Sequence, residues 1–376
     1  MKPGVYIHIP FCEQRCYYCA FTVAVSRDET YEPYVDRVIR EIELSGWTEA
    51  PETIFLGGGT PSILRGHLIQ RLLAALPAGA TEISLETNPG TLDDEKLAAY
   101  KQAGVNRISL GVQSFHDEDL HAAGRLHKGT DVIADIKRLR KHAFANINVD
   151  LIAGLPNQKI ELWHANLDRI AEYRPEHVSI YMLELDEQSP WTRTKPEIPA
   201  DEQFIRFYQA ACDRLEAAGY VHYEISNWAL PGNECLHNRK YWTGAPYRGF
   251  GVGAHSFLHG TRFWNTASLA GYAQRVDEGK VPVDGSEILT RDMRMDEAFM
   301  LGLRQTVGFN VHTVAAELGI RYPSEWFARV GDLQREGLIL FDGNILKLTP
   351  AGWLIASGIT EDLLWPTLLS TSEATP

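Results

Sequence analysis

A chain of 376 residues has room for about two domains, and 44% hydrophobic content is that of an ordinary globular protein with a sizeable core. A formal charge of −13 repels nucleic acid at long range and argues against a nucleic-acid partner. No apolar run approaches the roughly 18 residues of a membrane-spanning helix, and the start, MKPGVYIHIP, lacks the apolar stretch of a signal peptide, so a cytoplasmic protein without a transmembrane segment is expected.

The first half repeats one theme. A β-rich run at 5–9 (VYIHI) leads into a cysteine-rich loop and a helical pattern over 32–44. Strand-like runs follow at 53–57 (TIFLG), 82–87 (EISLET), 106–111 (NRISLG), 146–152 (NINVDLI) and 177–183 (HVSIYML). Helical patterns over 68–75, 93–103, 131–142 and 161–173 separate them. Short apolar strands alternating with amphipathic helices predict an α/β fold with a parallel sheet. Six such units are too few for an eight-stranded barrel; they fit a partial barrel or an open doubly wound sheet. Polar residues stand at or just past the strand ends: Glu86, Gln113 and Asp150, with Glu184 more loosely. An open sheet concentrates its site at one switch point, whereas barrels spread it over many strand ends, so a partial (β/α)6 TIM-type barrel is expected.

Beyond about Pro199 the pattern changes. A helix is predicted over 201–218, followed by a loop-rich stretch containing HNRKYW (237–242) and GVGAHS. The tail carries helical runs and then GLILFDGNILKLTPAG, in which Asp342-Gly343 between apolar runs signals a hairpin. Helices followed by such a hairpin predict a C-terminal α+β, winged-helix-like domain. The expected division is 1–200, 201–286 and 287–376. The last segment holds seven Lys and Arg against twelve Asp and Glu, the wrong sign for phosphate contacts. The closing STSEATP is predicted to be disordered.

Cys12, Cys16 and Cys19 fall within IPFCEQRCYYCAF with the spacing C-x3-C-x2-C, in a chain with only two other cysteines. In a reducing compartment such clustering argues against a disulfide framework. Structural zinc normally takes four protein ligands. A [4Fe–4S] cube held by three thiolates instead leaves one iron open, able to chelate the amino and carboxylate groups of S-adenosylmethionine (SAM) and to pass an electron into its sulfonium. This spacing after a first strand is similar to the signature of the radical SAM superfamily. The alternative is a zinc site completed by His8 or Cys235. Cys212 lies in a predicted helix and reads as a packing residue.

Further segments agree with a SAM site. FLGGGTPS (55–62) places three glycines after a strand, where backbone can approach a ligand, but lacks the lysine of a phosphate-binding loop. Arg125 suits a carboxylate, Glu86 and Asp150 can accept from an ammonium or from ribose hydroxyls, and Gln113 can do either.

Over nearly its whole length the sequence resembles the oxygen-independent coproporphyrinogen III oxidase family, through YIHIPFC, GGGTPS, GVQSF and DLIAGLP. The resemblance implies cluster ligands Cys12, Cys16 and Cys19. It implies SAM contacts at Tyr6, Tyr18, Gly58, Gly59, Thr60, Glu86, Gln113, Arg125 and Asp150. Two branches of the family differ. Oxidases are longer at the N-terminus and carry a fourth cysteine two residues past the triplet, where this chain has Phe21; the sequence begins four residues before its first strand. HNRKYW is similar to the H-N-x-x-Y-W motif of the haem chaperone branch. Ala20 departs from the Asp common there, and a local effect only is expected.

That branch implies haem as third cofactor, delivered to an acceptor protein the sequence does not name, without coproporphyrinogen oxidase activity. His237 is the haem-ligand candidate, with Tyr241 and Trp242 to cover the macrocycle and Arg239 and Lys240 to meet propionates. Read without the family, His237 is better taken as a loop histidine hydrogen-bonded to backbone, with Trp242 in a core. His255 in GVGAHS is a second candidate. Two other functions compete: oxidative decarboxylation of coproporphyrinogen III, and a zinc-stabilised regulator built on the C-terminal domain.

Overall fold

Val5, Ile7 and Ile9 are fully buried on one face of the first strand, β1 (Gly4–Ile9), while Tyr6 and His8 point to the other. That alternation sets the plan: apolar side chains on the outer face of the sheet meet helices, and polar and aromatic ones line the inner face. The computed structural model describes residues 1–25 and 28–364. The closing STSEATP, expected to be disordered, lies outside the described residues.

From β1 the chain passes to α1 (Tyr31–Ser45), which buries Tyr31, Tyr34, Val35, Val38 and Ile42 at helical spacing and stops at Gly46, a left-handed residue whose N–H donates to the Glu43 carbonyl. Then come β2 (Thr53–Gly58), α2 (Gly66–Ala74), β3 (Glu82–Thr87), α3 (Asp94–Gln102), β4 (Arg107–Gln113), α4 (Gly129–Lys141), β5 (Ile147–Ala153), α5 (Ile160–Tyr173) and β6 (His177–Met182). Asp93 caps α3 by accepting from the Lys96 N–H. The six strands lie side by side in chain order, all parallel. Each predicted strand and helix of this half is present, displaced by no more than about two residues at any end.

The helix over 201–218 is present as α6 (Asp201–Ala217). Strands that the alternating pattern did not flag extend the sheet on both sides. β7 (Asn227–Ala229) pairs antiparallel with β6. On the other side of β1 lie β8 (Tyr247–Phe250), parallel to it, and then β9 (His255–Leu258) and β10 (Thr261–Asn265), antiparallel in succession. The sheet therefore remains open. These added strands are only three to five residues long, too short to show an alternating period, so they read as loop in sequence.

Two clusters hold the α/β layers together. One joins Val5, Ile7 and Ile9 to α1, α2 and α3, and the other joins β4, β5 and β6 to α5 and α6 through Trp163, Leu167 and Phe207. Each fully buried Leu, Ile or Phe contributes about 1.5–3 kcal/mol.

Packing divides the chain into two units: residues 1–221, 226–237 and 246–287 in one, and 222–225, 238–245 and 288 onward in the other. The second unit contains helices Arg291–Gly302, Val311–Leu318 and Ser324–Arg335 and an antiparallel sheet in which Ile345–Leu348 lies between Phe309–Asn310 and Ile339–Phe341. The Asp342-Gly343 hairpin is present; Asp342 accepts from the N–H groups of Asn344 and Ile345. Phe299, Trp326, Val330 and Leu333 are buried in this winged-helix-like unit.

Candidate functional site

At the carboxyl ends of the parallel strands lies a cavity of about 400 Å³. Pro10 ends β1, Phe11 is buried, and the loop that follows brings Cys12, Cys16 and Cys19 onto the cavity wall. The Thr60 hydroxyl donates to the Cys12 sulfur at 3.5 Å, and Arg125 Nη1 donates to the Cys16 sulfur at 3.4 Å. Burial pushes the Cys12 thiol up to about 11, with Thr60 opposing and the neighbouring cysteines adding to the rise. Burial raises Cys19 as well.

The donor set fits an iron–sulfur cube. Among the described residues no three or more His, Cys, Asp or Glu side chains gather tightly enough to hold a single metal ion. Three sulfurs around one cavity suit a cube, in which each binds a different iron. Cys235 does not complete a zinc site with them: it is buried at the amino end of β3, where its sulfur lies 3.6 Å from Glu82 Oε1. Nor does His8, which bonds to Tyr6 and to the Thr22 carbonyl.

The turn after β2 is laced to the cysteine loop. The N–H groups of Gly59 and Thr60 donate to the carbonyls of Ile9 and Phe11, each at 2.8 Å. A Cβ on Gly59 would stand 2.6 Å from the Phe11 oxygen and 3.0 Å from the Cys12 sulfur, so only glycine fits. Gly58, Gly59 and Thr60 all line the cavity.

Glu86 and Asp150 form its floor, on β3 and β5. Burial, reinforced by repulsion from Asp150, raises Glu86 to about 8, against a bond from the Gly58 N–H and the attraction of Arg107. Asp150 is raised by burial and partly restored by donors: Ser109 Oγ at 3.1 Å and Asn148 Nδ2 at 2.7 Å. Gln113 stands at an irregularity in the β4–β5 register with φ 67, a left-handed conformation rare for its type, and lines the cavity.

Arg125 closes one side. Beyond Cys16 its guanidinium donates to Asn88 Oδ1 and the Gly111 carbonyl, each at 2.7 Å, and to the Tyr18 hydroxyl at 3.4 Å. Tyr18 lines the cavity and packs on Trp191, ring centroids 6.2 Å apart. Asn88 escaped the sequence reading although it lies two residues past Glu86. It joins two candidate residues, donating to Thr60 Oγ1 at 2.8 Å while accepting from Arg125. Its signal was its place in LETNPG at a strand end. Phe21, 69% exposed, lines the mouth with Val23, Tyr181 and Leu183.

Three candidates stand elsewhere. Tyr6 is not in the cavity wall; its ring stacks on Phe55 and its hydroxyl bonds to His8 Nδ1 at 3.0 Å. His237, 1% exposed, lies at the amino end of the same strands: Thr53 Oγ1 is 2.8 Å from its Nδ1 and its ring stacks on Phe55 at 5.3 Å. It is the second residue of the helix α7 (Leu236–Trp242), whose first N–H groups, on Leu236 and His237, donate to the two Glu82 carboxylate oxygens at 3.0 Å. Of the other motif residues, Lys240 is buried, Arg239 is exposed, and the Trp242 ring lies 5.9 Å from the Arg304 guanidinium. His255 is exposed on β9 and stacks on Trp264 at 5.8 Å.

The cavity therefore holds three thiols on one wall, two carboxylates on the floor and a guanidinium at the side. Its volume is within the range of small-molecule sites. A compact ligand carrying an ammonium, a sulfonium and a carboxylate finds a partner for each charge.

Comparison with known proteins agrees. Residues 6–187 match the radical SAM superfamily, and residues 289–355 match the HemN C-terminal domain. A relative from Synechocystis called heme chaperone HemW is 39% identical over 327 residues, covering 82% of this chain and 79% of the relative. Another of the same name from Bacillus subtilis is 33% identical over 369 residues, covering 95% and 97%. Among solved structures, coproporphyrinogen III oxidase (HemN) from Escherichia coli superposes with a TM-score of 0.85 at 25% identity, covering 96% of this chain and 90% of that one.

Proposed function

The chain belongs to the heme chaperone HemW family of radical SAM proteins, and from that premise we propose that it carries haem to an acceptor protein. The reading rests chiefly on the near full-length similarity to proteins of that name. Membership of the radical SAM superfamily implies a [4Fe–4S] cluster and SAM, and the cavity supplies groups for both. Cys12, Cys16 and Cys19 would hold the cluster. Glu86 and Asp150 would accept from the amino group and ribose hydroxyls of SAM, Arg125 would meet its carboxylate, and Gly58, Gly59, Thr60, Gln113 and Tyr18 would form the remaining wall. When bound, the cluster supplies an electron donor beside a sulfonium.

The chain's own residues prepare that site in three ways. Thr60 and Arg125 direct donors at two of the sulfurs, and at Cys12 the Thr60 bond opposes the rise that burial causes. Ser109 and Asn148 fix the orientation of Asp150. Asn88 holds Arg125 and Thr60 at a set separation, so that ligands on the two walls are registered to each other. Tyr6 acts from behind the wall. Three free thiols in one loop suit a reducing cytoplasm. Among the described residues no helix is long and apolar enough to cross a membrane.

Histidine is a common haem-iron ligand. His237, as packed, is closed to a macrocycle; ligation there requires α7 to leave Glu82 and Thr53. Haem binding and the packed state of His237 then exclude each other. His255 needs no such release. Haem titration followed by the Soret band, in the wild type and in His237→Ala and His255→Ala, assigns the ligand. Loss of the band in His237→Ala alone supports the motif histidine. An unchanged band there with loss in His255→Ala moves the site to β9. No haem binding by the wild type removes the chaperone reading. Coproporphyrinogen turnover on the same anaerobic sample separates it from the decarboxylase, which the HemW relatives do not favour.

A further inference from the structure

Between the cavity and His237, the inner face of the sheet holds a continuous column of rings. His237 stacks on Phe55 at 5.3 Å with planes 28° apart. Phe55 stacks on Tyr6 at 6.2 Å and 22°, its register partner across β1 and β2. Tyr6 meets His8 at 6.0 Å. His8 Nε2 lies 3.1 Å from the carbonyl of Thr22, three residues past Cys19. That carbonyl only accepts, so Nε2 carries the proton. Burial lowers the His8 pKa and keeps the ring neutral, which leaves Nδ1 to accept from the Tyr6 hydroxyl. The Tyr6 hydroxyl and the His8 ring are therefore each held in one hydrogen-bonded orientation.

The upper rings touch the SAM turn itself. A Cβ on Gly57 would lie 2.8 Å from Phe55 Cε1 and 3.0 Å from Glu86 Oε2. A Cβ on Gly58 would lie 2.5 Å from the His8 ring. The two glycines thus rest directly on Phe55 and His8, with no room between. Gly58 in turn donates its N–H to Glu86 at 3.0 Å. Phe55, Gly57, Glu86, Gly58, His8 and Tyr6 close a ring of contacts, and a shift of the Phe55 ring moves the turn, the carboxylate or both.

We propose that Phe55, Tyr6 and His8 are positioning residues that set the glycine turn and Glu86 for SAM, and that His237 loads this column from the opposite end of the strands. The column passes a change at His237 to the cavity through packed contacts. Haem engaging α7, if the reading above holds, would be felt at the SAM site; the positioning role of the column does not depend on haem.

The test uses the full chain with its cluster reconstituted anaerobically, SAM as probe, and two readouts: the SAM dissociation constant and the change SAM makes in the EPR signal of the reduced cluster. Phe55→Leu cuts the column. Thr53→Val removes the His237 bond at nearly constant volume. Phe55→Tyr keeps the stack. SAM binding is expected to weaken roughly 3- to 30-fold in Phe55→Leu, less in Thr53→Val, and to stay at the wild-type value in Phe55→Tyr. The EPR change on adding SAM should differ from the wild type in the first two. Loss of cluster from folded Phe55→Leu also supports transmission to the loop. Should Phe55→Leu not fold, Thr53→Val against Phe55→Tyr decides. Wild-type affinity and EPR response in both Phe55→Leu and Thr53→Val, or in Thr53→Val where it alone folds, overturn the proposal. Haem is added last: failure to bind haem with an altered SAM response in Phe55→Leu removes the chaperone reading and leaves the column standing.

Discussion

The two ends of the same parallel strands carry similar residues and do different things with them. At the carboxyl ends, Cys12, Cys16, Cys19, Glu86, Asp150 and Arg125 converge on an open cavity. At the amino ends, Thr53, Glu82, His177 and His237 are buried. Their polar atoms meet partners inside the protein. Glu82 takes the N–H groups of Leu236 and His237, Thr53 bonds to His237, and His177 Nδ1 lies 2.6 Å from Asn148 Oδ1. One end keeps polar capacity for a ligand, and the other consumes it internally. A buried polar group at a strand end is thus evidence for a site where it also faces a cavity, as Glu86, Asp150 and Arg125 do.

The largest effect that sharpens this contrast is at the open end. Cys16→Ala should abolish the cluster, with iron and sulfide in the reconstituted protein at background and thermal stability nearly unchanged. A zinc-loaded or fully reconstituted variant would break the contrast.

Glu86→Gln comes next. Removing a buried, charge-assisted partner should weaken SAM binding about 10- to 100-fold by equilibrium titration. The wild type should also show a pH dependence. Free Glu86 titrates near 8, and a bound cation favours its ionised form, so binding below that pH releases a proton. Affinity should therefore rise from about pH 6 to 8 and level off above, and Glu86→Gln should flatten that slope.

At the closed end the same kind of replacement should act on stability. His237→Ala loses a ring stack and the Thr53 bond in a fully packed place, which costs about 2–4 kcal/mol in denaturant unfolding. A destabilisation below about 0.5 kcal/mol would mean that the amino end is not closed. The smallest effect belongs to His255→Ala on exposed β9, expected within about 0.5 kcal/mol of the wild type.

Much of the open end was legible in the sequence. Alternating apolar runs located the six parallel strands, and three cysteines at C-x3-C-x2-C marked the loop. The polar strand-end residues Glu86, Gln113 and Asp150 all reach the cavity. Gln113 does so through a left-handed backbone that no periodicity announces. Asn88 was hidden because its role is to join two residues distant in sequence. The closed end was not legible for the same reason. His237 resembles a ligand in its motif, and only the fold brings Thr53, Glu82 and Phe55 around it from separate strands. Tyr6 stands in a family word and shares the inner face with Glu86, yet it sits one layer further toward the amino ends, level with Phe55 and Ser84. The added strands are hidden because segments of three to five residues are too short to show a period.

The account turns on the open iron corner at the carboxyl ends. EPR of the anaerobically reconstituted, reduced protein, recorded before and after adding SAM, tests it most directly. A cubane signal that changes with SAM is the predicted result. Folded protein with no such signal, or with one that SAM leaves untouched, would contradict it.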